Sequence, residues 1–304
     1  MSLQPITSQT AYLPGANNLG VIRAGTDGAI VIDTGIDKDT GRALRKALEQ
    51  AGLTLHAIIS THHHADHIGG NDYLIRNLPG VVIYAPHHEA PLIEHPLLEP
   101  IYLHNGAHPW SALQTKWLMA RGSPVDHRID TGMLTIANVE LEILPLAGHS
   151  LAQIGIAVDG VCFAADGFFG TDVLQKHGIP YAHDIKAQID SLERLAQRRE
   201  HFFLPGHGPL TPRAALAETI SANRHAIETT TRIVLAALAE PADLASIARR
   251  VRHAAGYTFA GIPQYAIFTS VIAAYLSYLE AGGQAGATLT DAGIIWRRLS
   301  AYTQ

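Results

Sequence analysis

The feature that most constrains the fold is the junction at residues 55–70, where the apolar run LHAIIST leads directly into THHHADHIGG. A short run rich in β-branched and apolar residues is typical of a strand buried within a sheet. The segment that follows gathers four histidines and one aspartate into six consecutive positions. The sequence therefore predicts a cluster of imidazoles at the point where a buried strand ends.

The segments around this junction alternate between strand and helix patterns. The runs NLGVIRAG and AIVIDTG predict a strand pair with a turn at Thr26-Asp27-Gly28. A helix is predicted over DTGRALRKALEQAG, where Gly52 stands just past its end, and NDYLIRN and GVVIYAP predict a further helix and strand. Strand patterns resume with MLTIANVELEILPL, IGIAVDGVCFAADG and HFFLPGHGP, with a helix near 184–199 before the last of them. This β-α-β succession favours a layered α/β domain over residues 1–210.

Two segments depart from that rhythm. Residues 87–128 mix proline, histidine and tryptophan and are interpreted as an insertion, either a lid or apolar wall for a substrate or a surface excursion packed by its own side chains. From residue 211 the pattern is helical, with Thr211 and Pro212 expected as the cap and first position of a helix. Three helices and a hairpin over ATLTDAGIIWRRLS predict a winged-helix-like region over 211–304.

Composition limits the functional classes. With 47% apolar and 16% charged residues, the 304-residue chain is expected to form a compact globular protein, and its net charge of -5 gives no support to nucleic-acid or membrane binding. A single cysteine, Cys162, excludes intrachain disulfides and sites built from several thiolates, and it is expected to be buried rather than nucleophilic. The first residues show no signal-peptide pattern and no run of 18 apolar residues occurs, so a cytoplasmic location is expected.

The spacing H-x-H-x-D-H suits two adjacent sets of metal ligands. In an extended segment alternate side chains point to the same side, so His62 and His64 can reach one ion while His63 faces elsewhere. A turn after this pair then presents Asp66 and His67 beside it. The pattern therefore needs further donors from other parts of the chain.

Those donors follow three later strand-like runs. His149 comes after LEILPL, Asp166 after GVCFAA and His207 after HFFL. Loops at one edge of a sheet converge, so these residues can meet the histidine cluster. Gly69 and Gly70 would let the backbone pass close to the site or to neighbouring elements. Five histidines and two aspartates favour transition-metal ions, with zinc as the default.

The motifs THHHADH, GHS, AADG and PGHGP stand in the order found in the metallo-β-lactamase-fold superfamily, which the chain resembles over roughly residues 10–210. The resemblance implies an αββα sandwich that holds two Zn²⁺ ions, with iron or manganese as other candidates. It assigns the ligands as follows: His62, His64 and His149 to the first ion, Asp66, His67 and His207 to the second, and Asp166 to both. Asp33, in VIDTG, would support the ligand histidines by hydrogen bonding on the side away from the metal ions.

The activity that this resemblance implies is hydrolysis by a hydroxide bridging the two zinc ions. Asp66 would also orient the attacking water. A small ester, thioester or lactone is the expected substrate, as in the glyoxalase II-like branch, although the basic signatures of glutathione binding are not evident in the helical tail.

Two other functions stay open. Some family members that process RNA carry a winged-helix-like tail, which would make the chain an endoribonuclease. Others are persulfide dioxygenases that hold a single iron with two histidines and an aspartate. β-Lactamase activity is disfavoured because the chain shows no secretion signal. A small molecule is the expected partner, and the tail could equally form a homodimer surface.

Overall fold

The computed structural model describes residues 2–299, without the side chain of His177. A seven-stranded sheet comes first, and its spatial order follows the chain: β1 (Gln4–Pro5), β2 (Thr10–Leu13), β3 (Leu19–Ala24), β4 (Gly28–Ile32), β5 (Thr54–Ile59), β6 (Val82–Pro86) and β7 (His127–Ile129). Strands β1 to β4 pair antiparallel, and β4 to β7 pair parallel. The predicted pair around Thr26-Asp27-Gly28 is β3 and β4.

A second sheet of six strands faces the first. Its strands are β8 (Gly132–Ile136), β9 (Val139–Pro145), β10 (Ile154–Val158), β11 (Val161–Ala165), β12 (Phe202–Pro205) and β13 (Thr211–Pro212), in the order β13-β12-β11-β10-β9-β8. Only the β11–β12 pair is parallel in this sheet. Ile30 and Ile32 of the first sheet pack against Ile156 and Phe163 of the second in one buried cluster.

Helices join the strands and follow the second sheet, and some of them lie on the outer faces of the two sheets. They are α1 (Lys38–Gln50), α2 (Ala65–Ile68), α3 (Asn71–Asn77), α4 (Ala90–Glu94), α5 (Leu98–Leu103), α6 (Thr171–His177), α7 (Ile185–Ala196), α8 (Arg213–Ala237), α9 (Leu244–Ala254) and α10 (Ile262–Ala281). Leu44 and Leu48 of α1 are buried against the first sheet, and Leu192 of α7 is buried against the second. The predicted αββα sandwich is confirmed.

Helix α1 shows how local sequence sets an element. Asp37 accepts hydrogen bonds from the backbone N–H groups of Asp39 and Thr40, which caps the amino end of the helix. Gly52, just past the other end, has a φ of +68°, a conformation that most residues avoid. Both ends of this predicted helix are therefore explained by single residues.

The carboxy-terminal residues form three helices, α8 to α10, and a hairpin of β14 (Ala285–Thr290) and β15 (Gly293–Arg298), as predicted for a winged-helix-like region. Trp296 of the hairpin pairs with Ala242 ahead of α9. One expectation was wrong: Thr211 and Pro212 form β13, so α8 begins at Arg213 with Pro212 as its cap residue. Pairing of this dipeptide with β12 takes precedence over its helix-start pattern.

Helix α10 is long and apolar enough, by length and composition, to be a membrane-span candidate. It nevertheless packs within the protein, because Val271, Ile272, Tyr275 and Leu276 belong to the cluster that also contains Leu192. The carboxy-terminal helices and the outer face of the second sheet therefore share one core. Cys162 is buried in this cluster, as expected, and burial raises the pKa of its thiol.

Candidate metal centre

Five strand ends supply the side chains of the centre. Asp33 follows β4 and His62 lies three residues beyond β5, both in the first sheet. In the second sheet His149 follows β9, Asp166 directly follows β11, and His207 follows β12. The strand ends of both sheets meet here, so residues far apart in the chain come together.

All seven predicted ligands take part in three groups whose donor atoms lie within 4.8 Å of one another. The groups are His62, His64 and His149; His62, His67 and Asp166; and Asp66, His67 and His207. In the first group His64 Nδ1 lies 3.1 Å from His62 Nε2 and 2.9 Å from His149 Nε2. The structure thus forms two ligand sets side by side, with Asp166 between them.

Asp166 contacts both sets. One carboxylate oxygen, Oδ2, lies 3.2 Å from His149 Nε2 and 3.6 Å from His207 Nε2, and the other, Oδ1, lies 3.4 Å from His67 Nε2. Oδ1 is buried and has no hydrogen-bond partner among the described residues. A buried carboxylate oxygen without a donor is costly unless a cation satisfies it, so the residues present fit a pair of metal ions.

Backbone carbonyls orient two of the ligand histidines. His149 Nδ1 lies 3.1 Å from the carbonyl oxygen of Tyr181, and His207 Nδ1 lies 2.8 Å from that of Ala16. A carbonyl accepts hydrogen bonds only, so each Nδ1 carries a proton and each Nε2 is the atom available to a metal ion. This arrangement is typical of metal-ligating imidazoles.

Asp33 orients a third histidine from behind. Its carboxylate accepts hydrogen bonds from the backbone N–H and the hydroxyl of Thr61, each at 2.8 Å, and its Oδ2 lies 2.8 Å from His67 Nδ1. The residue is buried and has a φ of +60°, a strained conformation outside glycine. Its contacts match the supporting role expected from the sequence.

We expect replacement of Asp33 by asparagine to weaken metal binding by roughly ten- to a hundredfold, the usual cost of losing such a supporting carboxylate. The amide could donate to His67 Nδ1 rather than accept from it, which would turn the lone pair away from the centre. Competition with a chelator of known affinity measures the change. Unaltered zinc affinity in a folded variant would contradict the role.

The histidines of the centre fall into two groups that differ in the direction of their pKa shift. Burial, and then the neighbouring imidazoles, hold the pKa of His62 and of His64 well below the usual value. For His67 burial acts in the same direction, but the carboxylates of Asp166, Asp33 and Asp66 outweigh it and raise the pKa well above the usual value. The histidines of the first set are therefore neutral, the form that binds a metal ion, whereas the carboxylates of the second set favour positive charge beside them.

The glycines after the cluster have the predicted role. A Cβ atom on Gly69 would collide with the backbone of Ile36, and one on Gly70 would collide with the backbone of Thr34. Only glycine permits this approach between the cluster and the loop after β4. The prediction that the backbone passes close to a neighbouring element is confirmed.

Glu89 is an important residue that the sequence analysis missed. It lies within the segment 87–128, is fully buried, and its Oε2 pairs with the ring and backbone nitrogen of His63. Its Oε1 accepts hydrogen bonds from the Ser150 hydroxyl at 2.8 Å and the Ala152 N–H at 2.6 Å. Glu89 therefore connects the histidine cluster to the loop that carries His149. Its pairing with the His63 ring also explains why His63 faces away from the centre.

Asn17 was also missed. This buried residue lies between β2 and β3, and its Nδ2 is 3.2 Å from both Asp66 Oδ2 and His67 Nε2 and 3.3 Å from His207 Nε2. Its amide nitrogen thus lies within hydrogen-bond distance of all three members of the second set. An isolated asparagine in a turn carries no motif that would reveal this position.

The sequence model of the metallo-beta-lactamase superfamily matches residues 12–207. The chain therefore belongs to this superfamily, as the resemblance implied.

Curated relatives are named as hydrolases. Hydroxyacylglutathione hydrolase 2 of Vibrio vulnificus (strain YJ016) is 28% identical over 161 residues, which are 53% of this chain and 50% of that protein. A probable metallo-hydrolase, YqgX of Bacillus subtilis (strain 168), is 29% identical over 199 residues, or 61% of this chain and 82% of that protein. The chain thus spans about half the length of the first of these relatives.

Solved structures share the whole fold. A beta-lactamase domain protein from Burkholderia ambifaria superposes with a TM-score of 0.75 at 19% identity, covering 98% of this chain and 93% of that one. A metallo-beta-lactamase family protein from Thermus thermophilus gives 0.71 at 18% identity, covering 98% and 97%. The coverage includes the helical carboxy-terminal region.

Proposed function

We propose that the chain is a metal-dependent hydrolase with two ions, zinc in the first place, and that it cleaves a small ester, thioester or lactone. This proposal rests on one observation: two sets of donor atoms both lie close to the carboxylate of Asp166. The names of the curated relatives support hydrolysis of a thioester. When bound, two zinc ions would lower the pKa of water to near neutrality and polarise the scissile carbonyl.

Exposure indicates where the substrate would enter. The side chains of Asp66 and His207 are 33% and 23% exposed, whereas that of His149 is 5% exposed. Asp66 and His207 of the second set and His64 of the first set are therefore partly exposed, whereas His62, His149 and His67 are buried. Asp66, as the most exposed carboxylate, would orient the attacking water and accept its proton.

The two other functions receive less support. A single iron held by two histidines and an aspartate leaves the set Asp66, His67 and His207 without a role. For RNA binding, Arg250 is committed to the carbonyls of Ala237 and Glu240, and Arg252 lies 5.7 Å from the ring of Phe259. We propose a small-molecule substrate and a cytoplasmic location, with a homodimer as one arrangement of the tail.

The test combines metal content with a substrate panel. We expect zinc-loaded protein to hydrolyse members of a set of thioesters, esters and lactones, and His207→Ala to lose that activity by at least about a hundredfold. His183→Ala is the matched control, because His183 is exposed and is not among the grouped donors. Oxygen consumption on a persulfide with one iron per chain, or cleavage of RNA alone, would contradict the proposal.

A further inference from the structure

Helix α5 packs one face against the histidine cluster. Glu99 and Tyr102 are three residues apart, so their side chains lie on the same side of this helix. The Tyr102 hydroxyl is 3.2 Å from His63 Nε2, which places that side next to the histidine cluster. Part of the segment 87–128 therefore packs next to the histidine cluster.

Glu99 is a buried carboxyl group without a partner. It is only 7% exposed, and within residues 2–299 its side chain forms neither a hydrogen bond nor an ion pair. Burial raises its pKa to about 8, with His63 opposing and Asp66 and Glu89 adding to the shift. The positive charge of His63 is already committed to Glu89. The free group is therefore largely protonated at neutral pH, and a cationic ligand beside it would favour its carboxylate form.

Two tyrosines complete the surroundings. The Tyr181 ring lies 5.3 Å from the rings of both His64 and His149. Burial raises the pKa of Tyr181, and the hydroxyls of Tyr102 and Ser270 oppose this rise, so they lie near it. Ser270 belongs to α10, so a carboxy-terminal helix also lies near these residues. Aromatic faces beside a carboxylate are the surroundings that bind organic ammonium groups in proteins.

We propose that Glu99, Tyr102 and Tyr181 form a substrate subsite that binds a protonated amino group of the acyl compound cleaved at the metal centre. This inference rests on the proposed hydrolase function and specifies its substrate class. The ammonium group would donate to the Glu99 carboxylate, which no lysine or arginine of the described chain pairs with. The same carboxylate would repel a substrate that carries a carboxylate at this position.

Binding of two isosteric probes tests the subsite without requiring hydrolysis. β-Alaninamide and butanamide have the same shape and differ by an ammonium in place of a methyl group. Ligand-observed NMR with the zinc-loaded full chain measures both dissociation constants. We expect β-alaninamide to bind roughly tenfold more tightly, as one charge-assisted hydrogen bond would provide. Equal binding of the two probes, or tighter binding of butanamide, would overturn the proposal.

Variants assign the preference to Glu99. In Glu99→Gln the preference for β-alaninamide is expected to disappear, while butanamide binds as in the unaltered protein. Glu99→Leu is the second variant if the first does not fold, because it replaces an unpaired buried carboxyl with an apolar side chain of similar size. Glu94→Gln is the control, since Glu94 lies in the same segment but pairs with Arg128. A preference that persists without Glu99 would refute its role.

The hydrolase proposal and the subsite can fail separately. If the amine preference is found but none of the panel is hydrolysed, the subsite stands and the hydrolase function falls. If the panel is hydrolysed without any preference for the amino compound, the hydrolase function stands and the subsite falls.

Discussion

Replacement of Asp166 by asparagine is expected to lower kcat by on the order of a thousandfold. Asp166 lies close to both sets, with oxygens 3.2 Å from His149 Nε2 and 3.4 Å from His67 Nε2. Asparagine keeps the shape but removes the negative charge and one of the two oxygens. Both ions would therefore bind less tightly and lose their fixed spacing. Steady-state kinetics on the best substrate of the panel measure the loss.

Asp190→Asn serves as the control for this substitution. Asp190 lies on the exposed face of α7, where it pairs with Lys186, and a surface ion pair contributes little to stability. We expect this variant to retain full activity and full metal content. A folded Asp166→Asn protein that keeps two ions and more than a tenth of the activity would be inconsistent with a bridging carboxylate.

Removal of the metal ions by a chelator is expected to abolish activity and to lower Tm. An ion that binds only the folded chain stabilises it by about 4 kcal/mol when its free concentration is a thousand times Kd. The effect should be large here because the seven carboxylate and imidazole donors are held in close groups and four of them are buried. Calorimetry with and without chelator measures the difference, and re-addition of zinc should restore both properties. An unchanged Tm would argue against bound ions.

The difference in Tm between metal-loaded and metal-free protein is expected to depend on pH. Despite burial, the carboxylates of Asp166 and Asp66 raise the pKa of His207 from 6.5 to about 9 in the metal-free chain. A histidine with a raised pKa adds stability that is fully present below pH 6.5 and is lost as pH rises through about 9. Metal-free protein should therefore lose stability over this interval. The metal-loaded protein has ions in place of these protons, so the gap in Tm should widen with pH.

The seven ligands could be predicted because each lies in a local motif at the end of a strand. The H-x-H-x-D-H spacing indicates a ligand cluster, and the donors His149, Asp166 and His207 each follow an apolar run. The resemblance and the convergence of loops at a sheet edge predicted that these residues would lie close together. In the structure their donor atoms form groups within 4.8 Å.

Glu89, Asn17 and Glu99 could not be predicted in the same way. Each is a single polar residue whose role depends on which distant segment packs against it. Glu89 accepts from Ser150, and Asn17 contacts His207, 190 positions away. No spacing rule or periodicity encodes such contacts, because they arise only after both sheets and the segment 87–128 have assembled.

The fold was predictable where periodicity is strong and uncertain where elements are short. Helix α1 and the long carboxy-terminal helices follow their apolar patterns closely. The two-residue strand β1, the edge strand β7 and the short helix α6 had no such signal. β7 begins at His127 within the interpreted insertion, and it is defined by pairing with β6 rather than by its own composition.

Metal stoichiometry on natively purified protein is the most direct test of the dinuclear centre. Elemental mass spectrometry should find two ions per chain, predominantly zinc, and His207→Ala should reduce the number to one. A content of one ion or less in the unaltered protein, unchanged by excess zinc, would contradict the two-ion centre.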